Sequence, residues 1–268
     1  MIGNRSQPAE SENKLFQGVL YQRQVRQSPR PVVVHIVTVD LRQNGLSFLV
    51  TPGEQKSELP LSARTTSAFL QEFNLQLAIN GDGFTPWRSN GPLDYYPHAG
   101  DPVAPNGLAA SKGVIYSKDA GGHPVLYITR TNRASFNSPG GKIYNAISGD
   151  PMLVIRGKPT SEAMLANDQP EPRTAIGIDR RGRKLIIVVV DGRQPGYSEG
   201  VTLLELAEIL IENKIYQGMN MDGGGSSTLV AQGKGGQQTL LNSPIDLQLP
   251  GRERNVGNHL GIYAHAVK

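Results

Sequence analysis

The chain has 268 residues, of which 38% are hydrophobic and 19% charged, so it is long enough and apolar enough to bury a sizeable core as a globular protein. The lack of any cysteine excludes a disulfide scaffold and a thiolate metal site. The net charge of +4 favours anionic partners only weakly, because the basic residues are scattered apart from the run at 180–184, and we therefore expect no nucleic-acid partner.

The N-terminal segment, residues 1–14, is polar and lacks the apolar centre of a signal peptide. We expect it to be a disordered lead-in to a single domain over residues 15–268. No apolar run reaches the ~20 residues of a membrane-spanning helix, so no transmembrane segment is expected. The location stays open: periplasmic or secreted if an export signal has been removed, and otherwise cytoplasmic. The oligomeric state also stays open.

Two strands and a helix are predicted in the first quarter of the chain. The β-branched run Val32–Val39 is typical of a buried strand, and Asn44-Gly45 predicts a hairpin turn to a second strand over Leu46–Val50. Apolar residues spaced along one side predict a helix over Thr65–Phe73.

Glycine loops follow several of the predicted strands. A strand over Leu75–Ile79 leads into Asn80-Gly81-Asp82-Gly83, and a strand ending at Ile147 leads into Ser148-Gly149-Asp150. Between them, residues 85–107 are rich in proline, glycine and aromatic residues and contain Trp87, which predicts a functional loop or lid. Further short strands are expected at 113–116 and 125–129.

A strand–helix–strand unit is predicted over residues 185–222. The apolar run 185–190 pairs in a hairpin with 175–179 and ends at Asp191, and Thr202 with Glu205 has the spacing of a capping box that opens a helix. A strand from Ile215 then leads to Asp222, so we expect Asp191 and Asp222 on neighbouring strand ends. The elements together predict an α+β fold: one domain with a mixed, mainly antiparallel β-sheet, packed helices, and glycine loops at strand ends.

The most informative loop is Asp222-Gly223-Gly224-Gly225-Ser226-Ser227-Thr228. No Lys-Ser/Thr pair and no helix follow its glycines, so it is neither a Walker loop nor a dinucleotide fingerprint. Backbone N–H groups of such a loop, flanked by hydroxyls, are suited to phosphate or sugar oxygens.

Four aspartates occupy the same local context at a strand end beside glycine: Asp82, Asp150, Asp191 and Asp222. Such carboxylates can act as an acid and a base, or can hold Ca²⁺ or Mg²⁺, and the sequence leaves a metal uncertain. Arg173, just before a strand, can clamp a phosphate, and Glu199 is a further candidate acid. His35 and His259 lie in apolar strands and are interpreted as core residues.

These motifs resemble the phosphodiester glycosidase domain family. The resemblance runs from about Val32 to the C-terminus, and Asp222 to Ser227 is its most specific part. The other matching segments, in the same order along the chain, are Val34 to Leu41, Ala78 to Phe84, Ile147 to Gly149, Arg173 to Gly177, Val190 to Arg193, the helix from Thr202, and Arg254 to Val256 with Asn258-His259. Two features depart from the family pattern: Asp82-Gly83 replaces part of its usual glycine–phenylalanine loop, and the segment Pro86–Pro105 has no counterpart.

The resemblance implies hydrolysis of the bond between a sugar, such as N-acetylglucosamine, and a phosphodiester-linked group. Our hypothesis is that Asp222 activates water or stabilises the oxocarbenium-like centre, with Asp191 as its partner and Glu199 as a further candidate acid. Asn80 is expected to hold sugar hydroxyls. The implied substrate-binding residues are Asn80, Gly81, Asp82, Ser148, Gly149, Arg173, Gly223, Gly224, Gly225, Ser226, Ser227 and Arg254. Two alternatives stay open: a hydrolase acting on a phosphate-free polysaccharide or cell-wall glycan, and a non-catalytic module that binds glycans or anions.

Overall fold

A computed structural model describes residues 5–118, 121–233 and 235–267. The first strands are β1 (Ser11–Phe16), β2 (Val19–Arg26), β3 (Val32–Asp40), β4 (Ser47–Val50), β5 (Leu61–Ser62), β6 (Leu77–Asn80), β7 (Phe84–Thr85), β8 (Arg88–Gly91), β9 (Asp94–Tyr96), β10 (Pro102–Pro105), β11 (Ala109–Ser111) and β12 (Val114–Ser117). The later ones are β13 (Val125–Ile128), β14 (Ala134–Phe136), β15 (Asn145–Ser148), β16 (Met152–Ile155), β17 (Lys158–Pro159), β18 (Arg173–Asp179), β19 (Lys184–Val190), β20 (Ile215–Asn220), β21 (Leu229–Gln232), β22 (Gln238–Leu240) and β23 (His259–Tyr263). The α-helices are α1 (Thr66–Glu72), α2 (Ser161–Leu165) and α3 (Leu203–Glu212).

The strands form antiparallel sheets, as predicted. The largest has the order β1-β2-β3-β19-β18-β20-β16-β17, and a five-stranded sheet has the order β22-β21-β6-β23-β4. Strands make up 43% of the described residues and helices 11%, so the prediction of an α+β class is corrected to a mainly β fold. None of the helices in the described ranges is long and apolar enough to cross a membrane.

The N-terminal segment is ordered over part of the expected lead-in. Strand β1 begins at Ser11 and pairs with β2, and Arg5 Nη1 donates a hydrogen bond to Ser243 Oγ at 2.8 Å. The expectation of disorder is therefore wrong for Ser11 to Lys14, since these residues complete the edge of the large sheet. Residues 1–4 lie outside the described ranges.

Strand β19 shows how the layers are built, because its apolar residues alternate between two cores. Leu185, Ile187 and Val189 point into a core shared with β6 and β23 of the five-stranded sheet. Ile186, Val188 and Val190 pack in a second core with α3. Side chains alternate across a strand, so a continuous apolar run is what a strand buried on both faces requires. The eight-stranded sheet therefore lies between α3 and the five-stranded sheet that contains β6 and β23.

Both predicted helices form, and each follows a threonine N-cap, of which only Thr202 is predicted as a cap from the sequence. Thr65 is the N-cap of α1, whose Phe69 and Leu70 pack on the outer face of the five-stranded sheet. Thr202 is the N-cap of α3 and forms the predicted capping box: Thr202 Oγ1 accepts the Glu205 N–H at 3.3 Å, and Glu205 Oε2 accepts the Thr202 N–H at 2.8 Å.

The strand–helix–strand unit differs from its prediction in one respect. Strand β18 lies between β19 and β20 and pairs antiparallel with both, so Asp191 and Asp222 follow strands that are not neighbours. Both strands still end at the same edge of the sheet. The start of β18 at Arg173 lies at this edge as well, and places a cation between the two strand ends.

Candidate active site

A pocket of about 630 Å³ opens where the edge of the large sheet meets the ends of β6 and β15. Its wall carries two deeply set carboxyls, Asp82 and Asp222, and three guanidinium groups, from Arg173, Arg193 and Arg254. Arg193 joins eight of the predicted site residues in lining this pocket: Asp82, Ser148, Gly149, Arg173, Asp222, Gly223, Gly224 and Arg254.

Asp222 is fixed at this wall through its backbone and its side chain. Asn80 Nδ2 donates to the Asp222 carbonyl at 2.7 Å, and the Asp222 N–H donates to the Gly81 carbonyl at 3.0 Å. The carboxylate Oδ1 accepts the Gly223 N–H at 2.9 Å. Burial raises the pKa of the Asp222 carboxyl, while Ser226 and Arg254 oppose the rise. A carboxylate whose pKa is raised is a stronger base than an ordinary carboxylate.

Asp82 is the second carboxyl, and it is only 3% exposed. Ser148 Oγ donates to its Oδ2 at 2.6 Å, and Asn258 Nδ2 donates to its Oδ1 at 2.9 Å. Burial raises the pKa of Asp82 to about 6 in spite of these two hydrogen bonds. Asp82 therefore changes charge in the range where enzymes commonly work.

The three arginines are each anchored by a carboxylate, which leaves part of every guanidinium directed at the pocket. A guanidinium group suits phosphate oxygens, because it can donate two parallel hydrogen bonds to them. The anchoring pairs are Arg173 Nη2 with Asp168, Arg193 Nε with Glu171 at 2.5 Å, and Arg254 Nε with Asp246 at 2.8 Å.

The amides of the glycine loop are largely used within the protein. The Gly223 N–H binds Asp222, and the Gly224 N–H donates to the Pro172 carbonyl at 2.8 Å. The N–H groups of Ser226–Ser227 donate to loop carbonyls at 3.2 Å. The expected cradle of amides for an anion is therefore not formed by these four groups.

The glycines instead let the arginines approach. A Cβ at Gly225 would lie 2.5 Å from Arg254 Nη2, and one at Gly224 would lie 3.1 Å from Arg193 Nη2. Gly224 also has φ +60°, which favours glycine. The guanidinium groups of Arg193 and Arg254 thus pack directly against the glycine loop.

Ser226 and Ser227 are buried behind the loop and do not line the pocket. Their hydroxyls have no hydrogen-bond partner among the residues that the structure describes. The Ser226 hydroxyl lies near enough to lower the pKa of Asp222 without forming a well-aligned bond. Its position suits an influence on that carboxyl better than a contact with substrate.

The loop after β15 lines the opposite wall. Ser148 holds Asp82, and a Cβ at Gly149 would lie 2.2 Å from the Asn220 carbonyl, so only glycine fits there. Asp150 lines the pocket too, but it is exposed. Of the four strand-end aspartates, three reach the pocket.

Asn80 and Gly81 lie behind the pocket. The Asn80 side chain is fully buried, and besides holding Asp222 it accepts Thr174 Oγ1 at 2.8 Å and the Thr228 N–H at 3.1 Å. Its hydrogen-bonding groups are thus occupied, so Asn80 is placed as a positioning residue for Asp222 and not as a partner of sugar hydroxyls.

Asp191 and Glu199 are not among the residues that line the pocket. Asp191 is buried, and its Oδ2 meets His35 Nε2 at 3.0 Å and the Tyr197 hydroxyl at 3.2 Å. Its Oδ1 accepts the Ser243 N–H at 2.8 Å. These bonds give Asp191 a structural place, and His35 is a core residue as predicted.

The segment 85–107 forms strands and borders the pocket. Strands β8 and β9 make a hairpin, and Trp87 stacks on Tyr95 with ring centroids 5.4 Å apart. Arg254 lies 5.6 Å from the centre of the Trp87 ring. This hairpin therefore forms one side of the pocket mouth.

Two features of the site escaped sequence reasoning. Arg193 lies in a segment that matches the family but looks like an ordinary turn residue, and Asn258 gives no sign in the sequence that it reaches Asp82. No group of three or more histidine or acidic side chains in the described ranges is placed to hold a metal ion. The described residues therefore offer no set of ligands for the Ca²⁺ or Mg²⁺ ion that the sequence leaves uncertain.

The chain is similar to known proteins in sequence. The family model for phosphodiester glycosidase matches residues 73–263. N-acetylglucosamine-1-phosphodiester alpha-N-acetylglucosaminidase from Bos taurus and that from Homo sapiens are each 40% identical over 74 residues, which is 28% of this chain. The match spans 12% and 13% of those two relatives.

Solved structures share the fold. The zebrafish N-acetylglucosamine-1-phosphodiester alpha-N-acetylglucosaminidase catalytic domain, auto-inhibited by its pro-peptide, superposes with a TM-score of 0.65 at 22% identity, covering 98% of this chain and 86% of that one. A hypothetical protein from Synechocystis gives a TM-score of 0.66 at 16% identity, covering 96% and 64%. Because the family model covers most of the chain, this protein belongs to the phosphodiester glycosidase family.

Proposed function

We propose that this chain is a glycoside hydrolase that cleaves the bond between C1 of a sugar, N-acetylglucosamine in the first instance, and a phosphodiester-linked group. The observation that carries the proposal is one pocket lined by two carboxyls of raised pKa and three guanidinium groups. The curated relatives are named for an N-acetylglucosamine-1-phosphodiester substrate, and these names support the choice of substrate.

The charge that develops on the leaving group accounts for the arginines. When water attacks C1 and the bond from C1 to the phosphate oxygen breaks, the phosphodiester monoanion leaves as a phosphate monoester dianion. That group is stable enough to need little protonation, and it needs donors directed at the additional charge. Arg173, Arg193 and Arg254 are placed to supply them.

The two carboxyls take the remaining roles. Asp222 accepts a proton from the attacking water as the oxygen bonds to C1. Asp82, ionised above its pKa of about 6, faces the positive charge that grows on the sugar ring. Asp82 takes the place expected for Asp191, because both oxygens of Asp191 are bound within the protein.

The test compares N-acetylglucosamine linked through C1 to a methyl phosphodiester with an aryl glycoside of the same sugar. We expect release of free sugar from the phosphodiester, and we expect Arg193→Gln to lower kcat/KM by about a hundredfold, as for removal of one transition-state donor. Arg42→Gln, which removes an exposed arginine bound to Asp40, is the matched control and should behave as wild type. Hydrolysis of the aryl glycoside alone would refute the proposal.

A further inference from the structure

The pocket has two chemically different sides. One side is polar and contains Asp82, Ser148 and Asn220, whereas the other contains Trp87, Tyr95 and Leu247. Arg254 lies between them, since it acts on the pKa of Asp222 and also contacts the Trp87 ring. A substrate whose phosphate binds the arginines therefore has its sugar on the polar side, and the group beyond the phosphate lies on the apolar side.

The aromatic part of the apolar side is firmly built. Trp87 and Tyr95 stack nearly parallel, with an angle of 17° between their rings, and Arg88 lies over the Tyr96 ring at 4.8 Å. The β8–β9 hairpin holds both stacks. The aromatic surface is thus present before any ligand arrives.

The aliphatic part is held in an unusual backbone conformation. Leu247 has φ 53° and Gln248 has φ 61°, and a bulky residue rarely adopts this left-handed region without a compensating interaction. Asp246 fixes the segment, because its carboxylate binds Arg254 and its carbonyl accepts the Leu249 N–H at 3.0 Å. The result is that Leu247 faces the pocket.

The apolar surface continues to the outside of the molecule. Trp87 is 47% exposed, and Leu93 at the hairpin tip is 76% exposed. Leu93 and Leu247 also border a small cavity next to Trp87. A saccharide needs hydrogen-bond partners for its hydroxyls, and leucine side chains give none, whereas a hydrocarbon chain gains from covering them.

We propose that the group beyond the phosphate is an alkyl chain, which lies against Trp87, Tyr95 and Leu247 and leaves the pocket past Leu93. The substrate class is then a sugar joined through a phosphodiester to a lipid. This inference rests on the proposed function for the place of the phosphate, but it can be tested by binding alone.

Trp87 provides the measurement, because it is the sole tryptophan of the chain. Its fluorescence is followed while octyl phosphate or methyl phosphate is added, the former below its micellar concentration. We expect octyl phosphate to shift the emission to shorter wavelength and to bind about tenfold or more tightly than methyl phosphate, since each buried methylene is favourable. Leu93→Ser should remove most of this difference, and Leu165→Ser, on exposed α2, should not change it.

Equal affinity for the two phosphates, or no fluorescence response to either, would overturn the inference. Tighter binding of mannose 6-phosphate with the same shift would assign a saccharide to this side instead. The hydrolysis assay is independent of these titrations. A protein that binds octyl phosphate but releases no sugar would contradict the proposed function and leave the alkyl subsite standing.

Discussion

Replacement of Asp82 by asparagine should make the protein more stable and less active, and the gain in stability should depend on pH. The Asp82 carboxyl is buried, with its pKa raised to about 6 from the ordinary 3.8. That difference corresponds to a cost of about 3 kcal/mol for keeping the ionised form in the fold. Asn258 and Ser148 can still bind an amide at this position, because a hydroxyl both donates and accepts.

The sign follows from proton linkage. With the folded pKa above the unfolded one, the folded state binds more protons between pH 4 and 6, so the free energy of unfolding falls as pH rises through this window. Asp82→Asn removes this fall. The stability of the variant minus that of wild type should therefore grow by about 2 kcal/mol between pH 4 and pH 8.

Urea unfolding of both proteins at the two pH values measures this difference, and sugar release measures activity. We expect wild-type kcat to rise with pH through about 6 as Asp82 ionises, and the variant to lose this rise together with most of its activity. A stability difference independent of pH would refute the buried, ionisable role of Asp82. Full activity in the variant would refute its part in catalysis.

Three further substitutions test the support of the site. Asn80→Ala should lower the free energy of unfolding by at least about 3 kcal/mol, because three buried partners each lose a hydrogen bond; a loss below 1 kcal/mol in urea unfolding would contradict this. Gly225→Ala should displace the Arg254 guanidinium and raise KM about tenfold, which is the scale of one lost hydrogen bond to a charged group. Steady-state kinetics measure this effect, and an unchanged KM would contradict it. Thr202→Ala should cost about 1 kcal/mol through loss of the helix cap, measured by thermal unfolding, with no effect on kcat.

Local patterns predicted much of the fold. The cap at Thr202 and the strand before Asn80 depend on a few neighbouring residues, and both form where expected. The predicted hairpin at Asn44-Gly45 is wrong, because the turn leads from β3 into β4 but β4 pairs with β23 in another sheet. The mainly antiparallel pairing followed from the many turns. The strand content was underestimated, because the segment 85–107 and the N-terminal residues contribute strands whose short lengths give little periodicity.

The site could be located from the sequence but not resolved into roles. Asp82 and Asp191 look alike there, since each follows an apolar strand and precedes glycine. The two aspartates differ in their partners, which are distant in the sequence. His35 and Tyr197 bind Asp191 in the interior, whereas Ser148 and Asn258 bind Asp82 at the pocket wall. Similarly, only the folded structure shows that the loop amides are hydrogen-bonded within the protein and that the three arginines line the pocket.

The most direct test of the account is hydrolysis of the sugar phosphodiester in ¹⁸O-labelled water, with the released phosphate monoester examined by mass spectrometry. Attack of water at C1, with Asp222 as the base, leaves the phosphorus–oxygen bonds intact. The account therefore predicts no ¹⁸O in the phosphate monoester, and predicts that Asp222→Asn abolishes its release. Incorporation of ¹⁸O into the phosphate would mean attack at phosphorus and would contradict a glycosidase.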